Sequence, residues 1–325
     1  MSVDRKQFLQ LAFAGGFGAL FGGKSLVPKR WKDQGVKLTT VSRQSLVMGS
    51  LISFQVVAET ESAGYEAIRR AEQTFRSLER KFSMYDDQSE MARLAHQSGK
   101  VPVAVSQAAI ELLEFAKNMH SQTKGRFDVT VEPAMKRWGF RQNPGQSIDK
   151  PTDRELRELE EIIGSEKIII EDESVFLDKA GMGIDTGGIA GGYALDKAIE
   201  EIKQSDVSAA FINFSGDIHC FGEPLKDKKW PVHILDPQTQ QPLRDPIELS
   251  NEALSTSGAY QNRRHDNTDH SWGHLLLPDQ AEPVEPMGSA TAVHPSAMVA
   301  DAWSTAVYVG AEAPSDVHTE TLSKG

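Results

Sequence analysis

Residues 183–194 read GIDTGGIAGGYA, a run that places Asp185 ahead of four glycines. Glycine allows positive φ angles and lets a ligand approach the backbone closely. If a strand gives way to a helix here, the free N–H groups at the start of the helix suit a pyrophosphate. The spacing fits neither G-x-G-x-x-G nor the P-loop. The run alone is therefore equally typical of a tight turn beside a closely packed helix.

Helices and strands are predicted on both sides of this run. Downstream we expect a helix at 189–203, strands at 209–214 and 231–235, and a polar loop at 261–271. Upstream we expect a strand at 50–59, helices at 62–82, 107–123 and 153–163, a short helix from residue 89, and a hairpin at 167–177. Because these elements do not alternate as regular βαβ units, the predicted fold class is α+β, with antiparallel sheets flanked by helices.

Composition excludes several classes of protein. Of the 325 residues, 39% are hydrophobic and 25% are charged, which is typical of a folded soluble chain rather than a disordered or polytopic membrane protein. The formal net charge is −11, so no nucleic-acid partner is expected. The single Cys220 excludes an intramolecular disulfide framework and a Cys-rich metal cluster.

The first 32 residues differ from the rest. Arg5 and Lys6 precede an apolar, glycine-rich run at 8–23, which is the order of an export signal, and DRKQFL resembles a twin-arginine signal. An amphipathic helix is the alternative, although the glycines disfavour it. We expect residues 1–32 to be an export signal or an N-terminal anchor that associates with the inner membrane. Residues 38–325 are then one domain that is periplasmic or faces the periplasm.

An acid and a hydroxyl lie four residues apart in ADAWSTA, residues 300–306. On a helix, Asp301 and Thr305 share one face. Such hard oxygen ligands suit Mg²⁺, which completes its coordination with phosphate and water. The alternative is that Asp301 only complements the helix dipole. We expect the Asp301 side chain to face the surface.

Three other runs are ambiguous when each is taken alone. The hydroxyl-rich LSTSGAY at 254–260 can bind phosphate oxygens or form an ordinary turn. Gly-Asp at 216–217 is typical of a turn, and alternatively it ends a strand beside a ligand. His270 and His274 have H-x-x-x-H spacing, but Ser271 stands where the zinc motif has glutamate. Two loop histidines are therefore the favoured interpretation.

Taken in order, the motifs resemble those of the ApbE family, the FAD:protein FMN transferases, from about residue 48 to about residue 310. The matching runs are Met48-Gly49, FSMY at 82–85 with Ser89-Glu90, FDVTVEP at 127–133 with WGF at 138–140, DTGGIAGGYA at 185–194, TSG at 256–258, and AD…STA at 300–306. The resemblance implies a single two-lobed domain of the α+β class.

The same resemblance implies a Mg²⁺-dependent enzyme that uses FAD as a substrate. FMN would pass to a Thr or Ser hydroxyl of an acceptor flavoprotein, and AMP would leave. By position, Asp301 and Thr305 are the implied catalytic and metal-binding residues, with a backbone oxygen near Gly188 as a further metal ligand. The implied FAD-binding residues are Met48, Tyr85, Phe127, Asp128, Asp185, Gly191, Thr256, Ser257 and Leu276.

Two positions depart from the family's pattern. Gly191 stands where the family commonly has lysine, and Leu277 stands where it has an acid before a proline. Three functions therefore stay open. These are a transferase, a FAD-binding carrier or scaffold with little transfer activity, and a FAD pyrophosphatase that uses water as the acceptor.

Overall fold

The structure of the protein is a computed structural model. It describes residues 30–33, 36–141, 148–236, 239, 241–258, 262–265, 271–284 and 288–322. Most of the segment expected to be an export signal lies outside these ranges. None of the helices within them is long and apolar enough to cross a membrane.

The chain forms seven helices and seventeen strands in the described ranges. The strands are β1 Arg30–Asp33, β2 Val36–Val47, β3 Ser50–Ala58, β4 Val103–Ala104, β5 Ile168–Glu171, β6 Ser174–Leu177, β7 Val207–Phe214, β8 Asp217–Phe221, β9 Trp230–Val232, β10 Ile247–Leu249, β11 Ala253–Ser257, β12 Arg263–His265, β13 Ser271–Gly273, β14 Leu276–Leu277, β15 Glu282–Pro283, β16 Ser289–His294 and β17 His318–Leu322. The helices are α1 Glu61–Phe82, α2 Glu90–Gln97, α3 Gln107–Gln122, α4 Glu132–Arg137, α5 Asp153–Ile162, α6 Ala190–Lys203 and α7 Ala297–Tyr308.

An eight-stranded antiparallel sheet lies at the centre of the fold, in the order β1-β2-β3-β7-β8-β11-β16-β17. Both faces of this sheet are buried at β7, whose side chains alternate between them. Ala210 and Ile212 point into the core shared with helices α1, α6 and α7. Ala209 and Phe211 point into a second cluster with Trp230 of the β9–β10 pair. The α+β class with antiparallel sheets is confirmed.

A smaller part of the chain, from α2 to β6, carries a three-stranded sheet in the order β4-β6-β5. Its apolar side chains join the main core, because Leu113 and Val175 belong to the same buried cluster as Phe54 and Phe75. One continuous core therefore fixes the position of this part against the large sheet.

Local sequence signals account for most of the helix boundaries. Ser106 caps α3, and Thr152 with Glu155 forms the expected capping box of α5. The apolar stripe predicted for residues 62–82 is the buried face of α1. The hairpin predicted at 167–177 is β5–β6, where Asp172 has a φ of +49° in the turn.

The prediction of a loop at 261–271 is wrong for its described residues. Arg263–His265 and Ser271–Gly273 pair as the antiparallel hairpin β12–β13. Polar side chains did not prevent pairing, because the hairpin is anchored to the segment at 138–139. Arg264 donates a hydrogen bond from Nε to the Gly139 carbonyl at 2.8 Å, and Trp272 packs against Trp138 with ring centroids 5.2 Å apart.

Candidate active site

A cavity of about 220 Å³ opens where α7, β11, the glycine run and the α3–α4 connection meet. Several residues expected in the site line it together: Phe127, Asp128, Asp185, Gly188, Thr256, Ser257, Leu276, Asp301 and Thr305. These residues come from five separate stretches of the chain. The fold therefore brings together residues that are far apart in the sequence.

Helix α7 carries the acid and the hydroxyl expected to bind metal. Ser296 caps the helix by accepting a hydrogen bond from the Val299 N–H. Asp301 is the fifth residue of α7 and is only 5% exposed. The expectation that Asp301 faces the surface is wrong, because α7 packs this side against α6 and the sheet. The helix-dipole interpretation also fails, since the dipole acts within the first turn.

Hydroxyl groups from β11 and α7 form a hydrogen-bonded cluster beside Asp301. The Ser257 Oγ lies 3.0 Å from the Thr305 Oγ1 and 2.8 Å from the Ser304 Oγ. Ser304 in turn lies 3.3 Å from the Ser255 Oγ. The TSG and STA runs are therefore parts of one polar surface.

Two carboxylates, of the partly buried Asp217 and the buried Asp301, lie close enough to affect each other. Burial raises the pKa of Asp217 to about 6, although a 2.5 Å hydrogen bond donated by Ser255 Oγ acts the other way. Burial raises the pKa of Asp301 well above its ordinary range, and the neighbouring Asp217 charge raises it further. Such a pair of like charges is stabilised by a bound cation.

The donor chemistry at Asp301 fits Mg²⁺. Carboxylate and hydroxyl oxygens are available from Asp301 and Thr305, and a cation there would offset the Asp217 charge that helps to raise the pKa of Asp301. The Gly188 backbone adjoins them, because a Cβ built on Gly188 would lie 3.2 Å from the Thr305 Oγ1 and 3.2 Å from the Phe127 ring. Asp301, Thr305 and a backbone oxygen near Gly188 are therefore the residues that would hold the ion.

Two glycines, Gly191 and Gly192, allow the start of α6 to pack close to Asp301 and Asp217. The Gly192 N–H donates a 3.0 Å hydrogen bond to Asp301 Oδ2, and a Cβ at this position would come within 2.4 Å of the Ala297 carbonyl oxygen. Gly191 does not line the cavity in the described part of the chain. Its Cβ direction faces the Phe214 ring at 3.3 Å and Asp217 Oδ2 at 3.5 Å. A lysine in its place would meet the Asp217 carboxylate.

Asp128 is turned toward the protein, although it also lines the cavity. Its carboxylate accepts hydrogen bonds from the N–H and hydroxyl of both Thr130 and Ser165, at 2.6–2.9 Å. His120 Nδ1 lies 2.8 Å away from Asp128, and its Nε2 lies 3.3 Å from Glu166. The Asp128 partner raises the pKa of His120. This network holds Phe127 in place beside Gly188.

Asp185 pairs with Arg141, which belongs to none of the motifs identified in the sequence. Its carboxylate accepts a hydrogen bond from Gly187 N–H at 2.8 Å and also pairs with Arg141 Nη2. Arg141 Nη1 donates to the Tyr85 hydroxyl at 3.3 Å, and Tyr85 is 73% exposed at the rim of the site. Tyr85 thus presents its ring to solvent next to the cavity.

His274 lies in the cavity wall beside Leu276. Burial lowers the pKa of its imidazole, and Arg141 lowers it further. Its Nδ1 atom is buried without a hydrogen-bond partner in the described part of the chain. A neutral imidazole of this kind can accept a proton. The other histidine of the H-x-x-x-H spacing, His270, lies outside the described residues.

Met48 lies apart from the other expected residues. It occupies the turn between β2 and β3 with a φ of +48°, and it packs against the main core. It does not line the cavity as described. Its assignment to the FAD site stays a prediction.

Sequence reasoning did not commit to four residues that line the cavity, namely Arg141, Asp217, Ser255 and His274. Asp217 was open as a turn residue or as a strand end beside a ligand, and the structure places it next to a turn and in the cavity lining. It follows the Ser215-Gly216 turn, where both φ angles are positive, and it begins β8. Ser255 lies two positions before Ser257, so both point to the same side of β11. Arg141 follows the WGF run directly, and that adjacency was the available signal.

Comparisons with known proteins identify relatives of this chain. A FAD:protein FMN transferase from Klebsiella pneumoniae is 26% identical over 273 residues, which cover 82% of this chain and 81% of that protein. One from Haemophilus influenzae is 28% identical over 248 residues, covering 73% and 70%.

Solved structures show the same fold. The crystal structure of an ApbE protein from Thermotoga maritima superposes with a TM-score of 0.75 at 27% identity, covering 83% of this chain and 87% of that one. The flavinyl transferase ApbE of Pseudomonas stutzeri, in its apo form, gives a TM-score of 0.75 at 21% identity, with coverages of 88% and 95%. Residues 48–321 match the sequence pattern of the ApbE family, and the chain belongs to that family.

Proposed function

We propose that this protein is a FAD:protein FMN transferase. It moves FMN from FAD to a hydroxyl group of an acceptor protein and releases AMP. The observation that carries the proposal is the meeting of Asp301, Thr305 and Ser257 with the Gly188 backbone in one cavity. The relatives bearing this name share the family and most of the chain length.

The reaction exchanges one phosphorus–oxygen bond for another. The acceptor oxygen attacks the phosphorus on the FMN side of the diphosphate, and the bond from that phosphorus to the bridging oxygen breaks. The bridging oxygen leaves with AMP, and the acceptor hydroxyl loses its proton. Acceptors with Thr or Ser at the modified position have the required hydroxyl.

A magnesium ion held by Asp301 and Thr305 would neutralise charge on the phosphate oxygens as a Lewis acid. The chain's own residues prepare the site for it. Ser257 orients the Thr305 hydroxyl at 3.0 Å, and the Gly192 N–H fixes one oxygen of the Asp301 carboxylate at 3.0 Å. Both groups line the cavity, where the ion and the phosphate oxygens would meet them.

His274 is the candidate acceptor for the hydroxyl proton. It lines the same cavity as Asp301 and Thr305, and burial keeps its imidazole neutral near pH 7. A general base of this type contributes about 10²- to 10⁴-fold to a rate. Phe127 lines the cavity and Tyr85 contacts Arg141 at its rim, and both aromatic rings can contact the flavin ring system.

A FAD-binding carrier is the second candidate, and Gly191 and Leu277 are the observations that favour it. Leu277 lies in the short β14–β15 hairpin, where it pairs with Glu282. Because this residue is leucine, it supplies no carboxylate at the position where the family has an acid. Gly191 leaves Asp217 without a cation from α6. A FAD pyrophosphatase is the third candidate, in which water replaces the acceptor hydroxyl.

Incubation with FAD and Mg²⁺ separates the three candidates. A transferase attaches FMN to an acceptor with one AMP per flavin. A pyrophosphatase yields free FMN and AMP without any acceptor. A carrier binds FAD and leaves it intact. An Asp301→Asn variant is the control for metal-dependent chemistry in each case.

We also propose that the protein is exported and works in the periplasm, either released or anchored to the inner membrane. Residues 1–32 carry six Lys or Arg against one Asp, and an apolar glycine-rich run follows Arg5-Lys6. A reporter fused after residue 40 tests this. The Arg5→Gln/Lys6→Gln variant should keep the reporter in the cytoplasm, and continued export would contradict the assignment.

A further inference from the structure

Arg141 enters the cavity from a well-anchored turn. Gly139 has a φ of +72° after the end of α4, and Phe140 is buried. The Arg264 Nε holds the Gly139 carbonyl at 2.8 Å. Because the residue before it is packed in the interior and the turn is fixed, the Arg141 side chain extends into the site rather than into solvent. It is only 13% exposed.

The hydrogen-bonding capacity of Arg141 is only partly used. Arginine has five N–H donors. Two of its nitrogens reach Asp185 and the Tyr85 hydroxyl. Its Nε is buried and has no hydrogen-bond partner among the described residues. A buried donor of this kind is costly unless a ligand accepts from it.

Four aspartates and two arginines line the cavity, so the arginines are the groups there that can attract an anionic ligand. Among the described lining residues, the positively charged side chains are those of Arg126 and Arg141. Arg126 is 37% exposed and already pairs with Asp279 at 3.4 Å. Arg141 is therefore the buried cation that can face the phosphates of a ligand.

The position of Arg141 relative to the metal-binding residues fits a diphosphate. Its partner Asp185 lies three residues before Gly188, whose Cβ direction meets Thr305 at 3.2 Å. Three peptide units span at most about 11 Å. Arg141 and the expected metal ligands thus stand at the two ends of one short loop.

We propose that Arg141 is a substrate-binding residue that donates hydrogen bonds to the phosphate oxygens of FAD. This inference rests on the proposed function and names one of its binding residues. The guanidinium reaches the ligand from the opposite end of the 185–188 loop to Asp301 and Thr305. Asp185 and Tyr85 orient it for that contact.

Flavin binding in EDTA tests the assignment, with FAD, FMN and riboflavin as probes, because riboflavin has the ring but no phosphate. In Arg141→Gln we expect the affinity for FAD and FMN to fall about tenfold or more, as for loss of a charge-assisted hydrogen bond. Riboflavin affinity should change little. Arg137→Gln is the matched control, since Arg137 pairs with Glu155 and does not line the described cavity.

A second variant guards against misfolding. Arg141→Gln leaves Asp185 buried without its charged partner. The double variant Arg141→Gln/Asp185→Asn removes both charges. Thermal melting verifies that each variant is folded. The measured quantity is the ratio of FAD to riboflavin affinity. A fall in that ratio supports the assignment in either variant.

Two results would contradict the role assigned to Arg141, and a third would contradict the proposed function itself. Equal losses for FAD and riboflavin mean that Arg141 only shapes the pocket. Unchanged affinities mean that the Arg141–Asp185 pair is structural. Both contradict the inference while leaving the transferase assignment in place. If the parental protein binds no FAD, the proposed function itself fails.

Discussion

Ser257 and Thr305 share a hydrogen bond of 3.0 Å between their hydroxyl oxygens, although 48 positions separate them in the chain. Ser257 ends β11 and Thr305 lies in the last turns of α7. The contact orients the Thr305 oxygen toward the cavity and joins the sheet to the helix that carries Asp301. A metal site of the kind proposed would depend on the packing of α7 against β11 as much as on its ligands.

Asp301→Asn should remove magnesium binding without unfolding the protein. Asn keeps an oxygen acceptor for the Gly192 N–H and removes a buried charge that lies beside Asp217. In EDTA we expect the melting temperature to stay level or rise. The Mg²⁺-induced rise of the parental protein should be absent, because only bound ligand shifts the folding equilibrium. Exposed Asp316→Asn is the control, and an intact Mg²⁺ response in Asp301→Asn would refute the assignment.

The metal-free protein should lose stability as the pH rises from about 4 to about 7. Burial raises the pKa of Asp217 from 3.8 to about 6. Between these values the folded state keeps a proton that the unfolded chain has released, so stability falls with rising pH. Each pKa unit corresponds to about 1.4 kcal/mol. Urea unfolding at pH 5 and pH 7 in EDTA measures this.

Two comparisons make the pH prediction specific to Asp217. Asp217→Asn should reduce the slope, since one of the two carboxyls with a raised pKa is gone and only Asp301 remains. Saturating Mg²⁺ should also reduce it, because the cation stabilises the ionised carboxylates. Equal slopes in the parental protein and Asp217→Asn would assign the pH dependence to other groups, such as His120.

Gly192→Ala should destabilise the fold much more than Gly191→Ala does. A Cβ at position 192 would lie 2.4 Å from the Ala297 carbonyl oxygen, and backbone atoms cannot give way as a side chain can. Overpacking of this kind costs about 1–3 kcal/mol. At position 191 the nearest atoms belong to the Phe214 ring at 3.3 Å. Urea unfolding compares the variants, and equal free energies of unfolding would disprove a close α6–α7 contact.

His274→Gln should lower turnover far more than FAD affinity. Loss of a general base reduces kcat by about 10²- to 10⁴-fold. The proposed flavin contacts of Tyr85 and Phe127 would remain, so the Kd for FAD should hardly change. His265→Gln, on the exposed face of β12, serves as the control. A parallel loss of binding and turnover would show that His274 supports the pocket instead of accepting the proton.

Periodicity and capping residues predicted the helices well, because these signals are local. The stripe in α1 and the capping box at Thr152 and Glu155 depend only on neighbours within one or two turns. The β12–β13 hairpin was missed for the opposite reason. Its Arg264 is held by the Gly139 carbonyl, 125 positions away, and nothing in the local pattern reports that contact.

The site was predicted only as far as its motifs extend. Asp301 and Thr305 lie on one helix face as expected, but the burial of Asp301 depends on α6 and on β8, which the spacing of four residues does not describe. Arg141 lies outside the motifs, and His274 was considered only as one half of an H-x-x-x-H spacing. Their importance follows from what surrounds them in space, namely Asp185, Tyr85 and the cavity wall.

Intact-mass measurement of an acceptor tests the transferase assignment most directly. The probe is a purified FMN-binding domain that carries its flavin on a threonine in its own host and is prepared without flavin. With the protein, FAD and Mg²⁺, its mass should rise by one FMN less one water, with one AMP released per acceptor. Its Thr→Ala variant and the Asp301→Asn enzyme should show no rise. Release of FMN and AMP with an unmodified acceptor, or intact bound FAD alone, would contradict the assignment.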